Sequence, residues 1–443
     1  KGWNLQLSQF TPDTQVVALH TGESFKVTSR NGVKMLMEEK KLDSFHMDEI
    51  TNGASTHYLV EHSSGLLEKL QTQAASKPVA LPVEVWTRQT RPLKVTYAPF
   101  VSDDDTYDRL ASIEGSDVEG VYAPLLEIKR DESKRQVQIT LNPQGAAATQ
   151  VLFVMQLDTQ GRVIELQLPT VDGNQAKWRF TYTVSHTYNC LAEVRTPTGA
   201  WELITYDSVG HKRSNNLSGT LPRVSKHEVR PGNADEAPKA GASCNQIVSY
   251  EYTVVTQEDG YQADNNFLGA NLALGEPTPG LDILYKHLSA YRYGSVETLL
   301  SADGETKLRT IERHFNKFHL LTREITSQGP ADDLHIQTVE TSYAYEEGKP
   351  FKDQPASCQL PLTTTTTWRK AKTDTARTEV LKRDYYEDGN LRFVEHPSGV
   401  IETSLWYPAG GEQGACPPDP SGFVRHLKSK TTTPAPSALT PIP

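Results

Sequence analysis

A chain of 443 residues, 37% of them hydrophobic, is long for one compact core and too apolar to remain disordered, so several domains or one extended repeat array are expected. Its 45 Lys and Arg against 55 Asp and Glu leave a formal charge of −10. With no dense basic cluster, that balance argues against a nucleic-acid partner. No stretch reaches the roughly 18–20 apolar residues of a membrane-crossing helix, so no membrane span is expected.

The chain opens on KGWNLQLSQF, without an initiator Met or a basic-then-apolar leader, and closes on TTTPAPSALTPIP. Both ends read as those of a piece of a longer protein. Residues 1–145 read as a β-rich, sandwich-like domain. WNLQLSQF, VVALHTGESFKV, HYLVEH (57–62), VEVWT (83–87), LKVTYAPF (93–100) and RQVQITL (135–141) are short strand-like runs separated by turn signals. DTYDRLASIEG (105–115) is the one helix candidate of this part. The small-residue break NPQGAAA (142–148) marks the expected boundary with a second region, 146–432.

Beyond that break the punctuation becomes rhythmic. DTQG (158–161), TVDG (170–173), TPTG (196–199), DSVG (207–210), QEDG (257–260), SADG (301–304), YEDG (386–389) and HPSG (396–399) each end in Gly. A type I turn closed by a left-handed residue wants that chemistry, because Gly takes positive φ without strain. Turns every 10–12 residues between runs of Val, Ile, Thr, Trp and Tyr mean stacked β-hairpins, each needing neighbours to bury its apolar face. One match is long: LAEVRTPTGAWELITYD (191–207) and LRFVEHPSGVIETSLWY (391–407), 200 residues apart, share Leu191/Leu391, Val194/Val394, Pro197/Pro397, Gly199/Gly399 and Glu202/Glu402. Two interruptions are expected: a polar surface loop over 212–247, and a short amphipathic helix in LDILYKHLSAYR (281–292). The Thr run at 363–367 reads as an exposed strand, and 433–443 as a Pro-rich tail.

The segment TYDSVGH (205–211) carries a resemblance. Tyr206-Asp207-x-x-Gly210 resembles the Tyr-Asp-x-x-Gly core of RHS/YD repeats, with His211 where Arg is usual. YYEDGNLRFV (385–394) keeps Tyr386, Asp388 and Gly389, DTQGRVIEL (158–166) keeps the Gly-Arg, and FNKFHLL (315–321) looks like a decayed copy. The wider texture is similar to RHS proteins of bacterial toxin systems, including the TcC-type component of insecticidal toxin complexes. The resemblance implies an all-β chain: a sandwich-like N-terminal region, then stacked hairpins forming part of a spiral, shell-like sheet. It further implies a non-catalytic wall enclosing a C-terminal toxin cargo, with other RHS or TcB-like shell segments as partners, in an assembly secreted or exported from a bacterial cell. Tyr206, Asp207, Gly210, Pro197, Gly199, Pro397, Gly399, Asp388 and Gly389 would then be structural repeat residues.

Other chemistry is sparse. The chain lacks a Gly-x-Ser-x-Gly elbow, a Walker loop and a His-Glu-x-x-His pair, and its histidines are scattered. Cys190, Cys244, Cys358 and Cys416 are far apart, without a Cys-x-x-Cys pair, and read as isolated packed thiols. SDDDTYD offers Asp103, Asp105 and Asp108 as oxygen ligands for Ca²⁺, but it lacks the Gly and distant Glu of an EF-hand loop. A solvated turn is the preferred reading, and no metal or cofactor is expected. DPSGF (419–423) resembles the Asp-Pro-x-Gly-Leu box that closes an RHS core, and is read as a plain turn. The alternative function is an extracellular module that binds glycans or a target-cell surface, with Trp201 and Trp406 as stacking platforms.

Overall fold

A computed structural model describes residues 6–73, 78–102, 105–169, 175–232, 246–252, 262, 264–330, 332–371 and 375–436. Runs of β-branched and aromatic residues between Gly-ended turns leave the backbone one simple way to satisfy its N–H and C=O groups, which is to pair each run with the next. The chain does so almost without exception. From Ser29–Asn31 to Leu427–Thr433, successive strands join one antiparallel ladder, and among the described residues of that stretch only the small hairpin His211–Lys212 with Thr220–Leu221 stands outside it. Among the described residues no pairing joins the last strand to the first, so the sheet is an open ribbon and not a barrel.

The ribbon forks near its start. One edge of strand Ala80–Thr87 lies against Leu66–Thr72. Its other edge is shared, with Ala80 facing Phe10 while Glu84 and Val85 face Lys94 and Leu93. The meander Gln9–Thr11, Val16–Ala18, Ser24–Lys26 therefore peels off and covers the early strands. Phe10, Val17, Phe45, Met47, Val60 and Leu70 fill the gap, none more than 2% exposed. Burying each such side chain contributes about 1.5–3 kcal/mol.

Several sequence expectations need correcting. Residues 105–115 are not helical: Asp105–Ser116 is a strand paired on both sides, and two ladders of hydrogen bonds outweigh a weak helical pattern. The 281–292 segment makes only the 3₁₀ turn Leu284–Lys286 before strand Arg292–Leu300 begins. The 212–247 loop contains Val224–Arg230, a strand of the main ladder between Trp201–Tyr206 and Gln246–Glu251. Residues 233–245 lie outside the described residues, as do the turns TVDG and QEDG and the tail from 437. The threonine run lies inside Pro361–Lys370, paired on both sides. At 142–148 the ladder continues, with Gln136 opposite Gln156 through Leu141 opposite Val151.

The hairpin turns share one geometry. In 158–162, 196–200, 316–320, 386–390 and 396–400 the first residue's N–H bonds the carbonyl four residues on, and the fourth residue's N–H bonds back to the first carbonyl. The fourth residue has positive φ: Gly161, Gly199, Gly389 and Gly399 lie between 75° and 90°, and His319 sits at 60°. The 200-residue match holds in three dimensions. Val194 faces Glu202, and Val394 faces Glu402.

A second regularity lies along one long edge of the ribbon. The ladder shifts register at Tyr182, Tyr206, Phe315, Tyr343, Tyr385 and Trp406. Five of these six aromatics also reach back across the preceding strand. Tyr182 donates to the Val163 carbonyl at 2.6 Å, Tyr206 to Leu191 at 2.8 Å, and Tyr343 to Leu321 at 3.0 Å. Tyr385 donates to Pro361 at 3.1 Å, and Trp406 through Nε1 to Leu391 at 3.0 Å. A bulge bends its strand and tightens the twist, so repeating it along one long edge curls the ribbon.

That curl brings later turns onto earlier ones. Lys41 Nζ donates to the Lys352 and Gln354 carbonyls, both at 2.8 Å. Phe423 stacks on His46 with centroids 4.2 Å apart, and Arg88 donates to Ser421 Oγ at 2.8 Å. The aromatic-edge loops of the second half thus rest on the opposite edge of the first strands, along a seam joining residues about 240 to 360 positions apart. Loop side chains Phe318, Phe351 and Cys358 form a small buried core beside it.

Replacing Tyr343 by Phe removes one hydrogen bond but keeps the ring, and is expected to cost about 1 kcal/mol in urea denaturation. Gly210→Ala should cost more, about 1–3 kcal/mol. Gly210 has φ 70°, and a Cβ there would meet the Leu221 carbonyl oxygen at 2.6 Å. Equal and negligible shifts in both variants would contradict these roles.

Candidate functional site

The motif residues each hold a backbone task. Tyr206 ends its strand at the bulge and donates to the Leu191 carbonyl. Asp207 follows, its Oδ1 accepting from the Val209 N–H and its Oδ2 from Arg223 at 3.0 Å. These donors hold the Asp207 carboxyl below its usual range against the opposing effect of partial burial. Asp388 Oδ1 accepts from the Asn390 N–H at 2.9 Å within the turn closed by Gly389. Asn316 plays the same part in FNKFHLL, accepting from Phe318 and Leu320. Pro197 and Pro397 occupy the second position of the two matched turns.

The remaining candidates are dispersed. Trp201 is 3% exposed, with the Arg195 guanidinium 3.5 Å over its ring, so that ring is not available to a sugar. Trp406 is half-buried and spends its N–H on Leu391. Asp105 and Asp108 lie three positions apart in a regular strand and so on opposite faces. Asp103 lies outside the described residues. Asp419 of DPSGF accepts from the Ser421 and Phe423 N–H groups and pairs with Arg425 at 3.0 Å, which shapes the loop that docks Phe423 on His46. Cys190, Cys358 and Cys416 are free, and Cys244 is outside the described residues.

The two faces of the ribbon differ. Cross-strand register places Ile113, Leu126, Ile128, Ile139, Val137 and Met155 on one face. This face is concave, bounding a cleft of about 560 Å³ whose far wall includes Leu7 and Leu81 from the N-terminal region. The opposite face carries charge in alternating sign. Lys177 and Arg179 flank Glu165 at 3.2 and 3.4 Å, and Lys226 and Arg230 flank Glu228 at 3.3 and 3.2 Å. The division belongs to this part of the ribbon: beyond Gln246–Glu251 the register puts Glu297, Arg313 and Glu324, themselves ion-paired, on the same face as Ile128 and Ile139.

Sequence reading missed the seam, because its partners are hundreds of residues apart and no local pattern announces them. It also missed a grouping of His20, His62 and Glu68, the group of metal-ligand type found among the described residues. Only the fold brings these scattered side chains together.

No known family model matches the chain, and no curated protein matches it. Solved structures give faint likenesses. A porin-like protein from Bacteroides uniformis is 9% identical over 69% of this chain and 92% of that one, with a TM-score of 0.21. The Tc holotoxin pore of Photorhabdus luminescens is 10% identical over 90% of this chain and 24% of that one, also at 0.21. The N-terminal domain of the effector SpvB from Salmonella typhimurium is 11% identical over 80% and 92%, at 0.17. The chain therefore spans about a quarter of the Tc chain's length. Likenesses this faint carry no argument about role.

Glu39 is a half-buried titrating group at the seam. Glu39 accepts from the Asp282 N–H at 3.3 Å, in a pocket walled by Phe25, Gly280, Tyr285 and Phe351. Burial raises its pKa from 4.5 to about 7, assisted by the charges of Asp282 and Glu38 and opposed by the Asp282 N–H and Lys286. Between these values Glu39 is protonated only in the folded chain. Stability should therefore fall as pH rises from about 4.5 to 7, with the full penalty above that window. Glu39→Gln is expected to flatten the slope of the melting temperature over pH 4.5–8 and to raise it at pH 8. An unchanged slope would contradict the assignment.

Proposed function

We propose that this chain is a segment of the wall of a bacterial β-shell of the RHS/YD-repeat kind, and that it helps enclose and deliver a toxin polypeptide. The observation that carries this reading is a continuous ribbon curled back on itself, with an apolar stripe from Ile113 to Met155 on the face that bounds the cleft. A concave apolar wall offers an extended polypeptide area-proportional contact without a shaped pocket, which suits cargo held unfolded. The net charge of −10 opposes sticking to anionic surfaces. In this role the motif residues Tyr206, Asp207, Gly210, Gly199, Gly399 and Gly389 shape the wall and take no part in chemistry. The partners are the cargo and further shell segments, in an assembly exported from the cell. Recognition of sugars is the weaker reading, since Trp201 is covered.

Electron cryo-microscopy of the complete polypeptide that contains this segment tests the reading. The expected map shows the ribbon as one stretch of a longer wall, with irregular polypeptide density against Ile128, Ile139 and Met155. A folded domain packed into that concavity, or a concave face open to bulk water on an isolated module, would overturn it.

A further inference from the structure

A cluster of a different kind lies where the N-terminal meander meets the early strands. Ser8 and His20 come from the meander, His62 from the end of strand Ser55–His62, and Glu68 from Leu66–Thr72. Glu68 Oε2 is their common focus. It accepts from Ser8 Oγ at 2.6 Å, lies 2.7 Å from His62 Nε2, and lies 3.6 Å from His20 Nδ1. The two imidazoles meet edge to face with centroids 4.8 Å apart. Ser8, His62 and Glu68 are each at most 5% exposed, whereas the His20 side chain is 37% exposed.

We propose that His20, His62 and Glu68 form a zinc site that staples the N-terminal meander to the ribbon. Two imidazoles and one carboxylate are a borderline ligand set suited to Zn²⁺. All three ligand atoms lie within 4.8 Å of one another. Bonds of about 2.0–2.1 Å in a tetrahedron set ligand atoms about 3.3 Å apart. His62 and Glu68, now 2.7 Å apart, reach that spacing by opening about 0.6 Å. His20 reaches it by a small swing, for which its partial exposure leaves room. That exposure also leaves the fourth position to water.

The surroundings fit such a site. The backbone N–H of His20 donates to Ser8 Oγ at 3.0 Å, and the Ser8 hydroxyl donates to Glu68, so a buried second layer aims the carboxylate and fixes the approach of His20. The ion would join residues 20, 62 and 68, and so would tie the meander over the core that contains Phe10 and Val17. This inference is independent of the shell reading.

Zinc titration of the full chain, followed by calorimetry and by the melting temperature, provides the test, with Co²⁺ as a spectroscopic substitute. The expected result is one Zn²⁺ per chain, a rise in melting temperature reversed by chelator, and Co²⁺ visible bands of a low-coordinate site. His20→Ala, at a part-exposed position, should keep the fold and lose binding by more than 100-fold. Ser8→Ala should weaken binding by about 10–100-fold, as the loss of a residue that orients a ligand does. No zinc-dependent shift in the wild-type chain would overturn the proposal. Zinc binding that His20→Ala leaves unchanged would overturn it equally, because it would place the ion elsewhere.

Discussion

The structure depends on the aromatics that sit at register shifts along one edge of the ribbon. A long antiparallel ribbon of regular strands twists steadily and has no reason to return on itself. A bulge adds a local bend, and a ring hydrogen-bonded across the preceding strand holds that bend in one sense. Tyr182, Tyr206, Tyr343, Tyr385 and Trp406 apply it repeatedly along one edge. Each hydrogen bond is worth only about 1 kcal/mol. Their effect is geometric: together they decide that the second half of the ribbon meets the first.

Once it meets, the contact is chemically mixed. Lys41 caps carbonyls at 352 and 354, Phe423 stacks on His46, and Glu39 sits half-buried against Asp282. Such a seam is sealed by directional contacts more than by a large apolar core, and the main core, around Phe10 and Phe45, lies entirely in the N-terminal region. The division of labour follows. The first strands supply a buried base, and the strands from Asp105–Ser116 to Val151–Leu157 supply a stretch of wall with one apolar face.

Local structure was legible in the sequence wherever one turn type demanded particular residues. Gly199 and Gly399 stand at φ 90° and 83° in matched turns, and the all-β ladder follows from their spacing. Legibility failed where pairing overrode local pattern. Asp105–Ser116 reads as a helix from its own residues and is a strand because it has a partner on each edge. Val224–Arg230 was hidden inside a polar stretch for the same reason. The role of Tyr206 was visible only as a motif letter, since its acceptor is Leu191 and no spacing rule marks a carbonyl. His20, His62 and Glu68 were illegible altogether, because a fork in the sheet, and nothing in the local sequence, brings them together.

The central claim is that the ribbon curls until its own edges meet along a seam. Amine cross-linking of the isolated chain, read by mass spectrometry, tests it most directly, because Lys41 lies on the Lys352 carbonyl across that seam. The expected result is a Lys41–Lys352 cross-link whose yield does not depend on protein concentration and which forms within one molecule when isotopically light and heavy chains are mixed. Absence of that link while neighbouring lysines react, or its appearance only between light and heavy chains, would contradict the account.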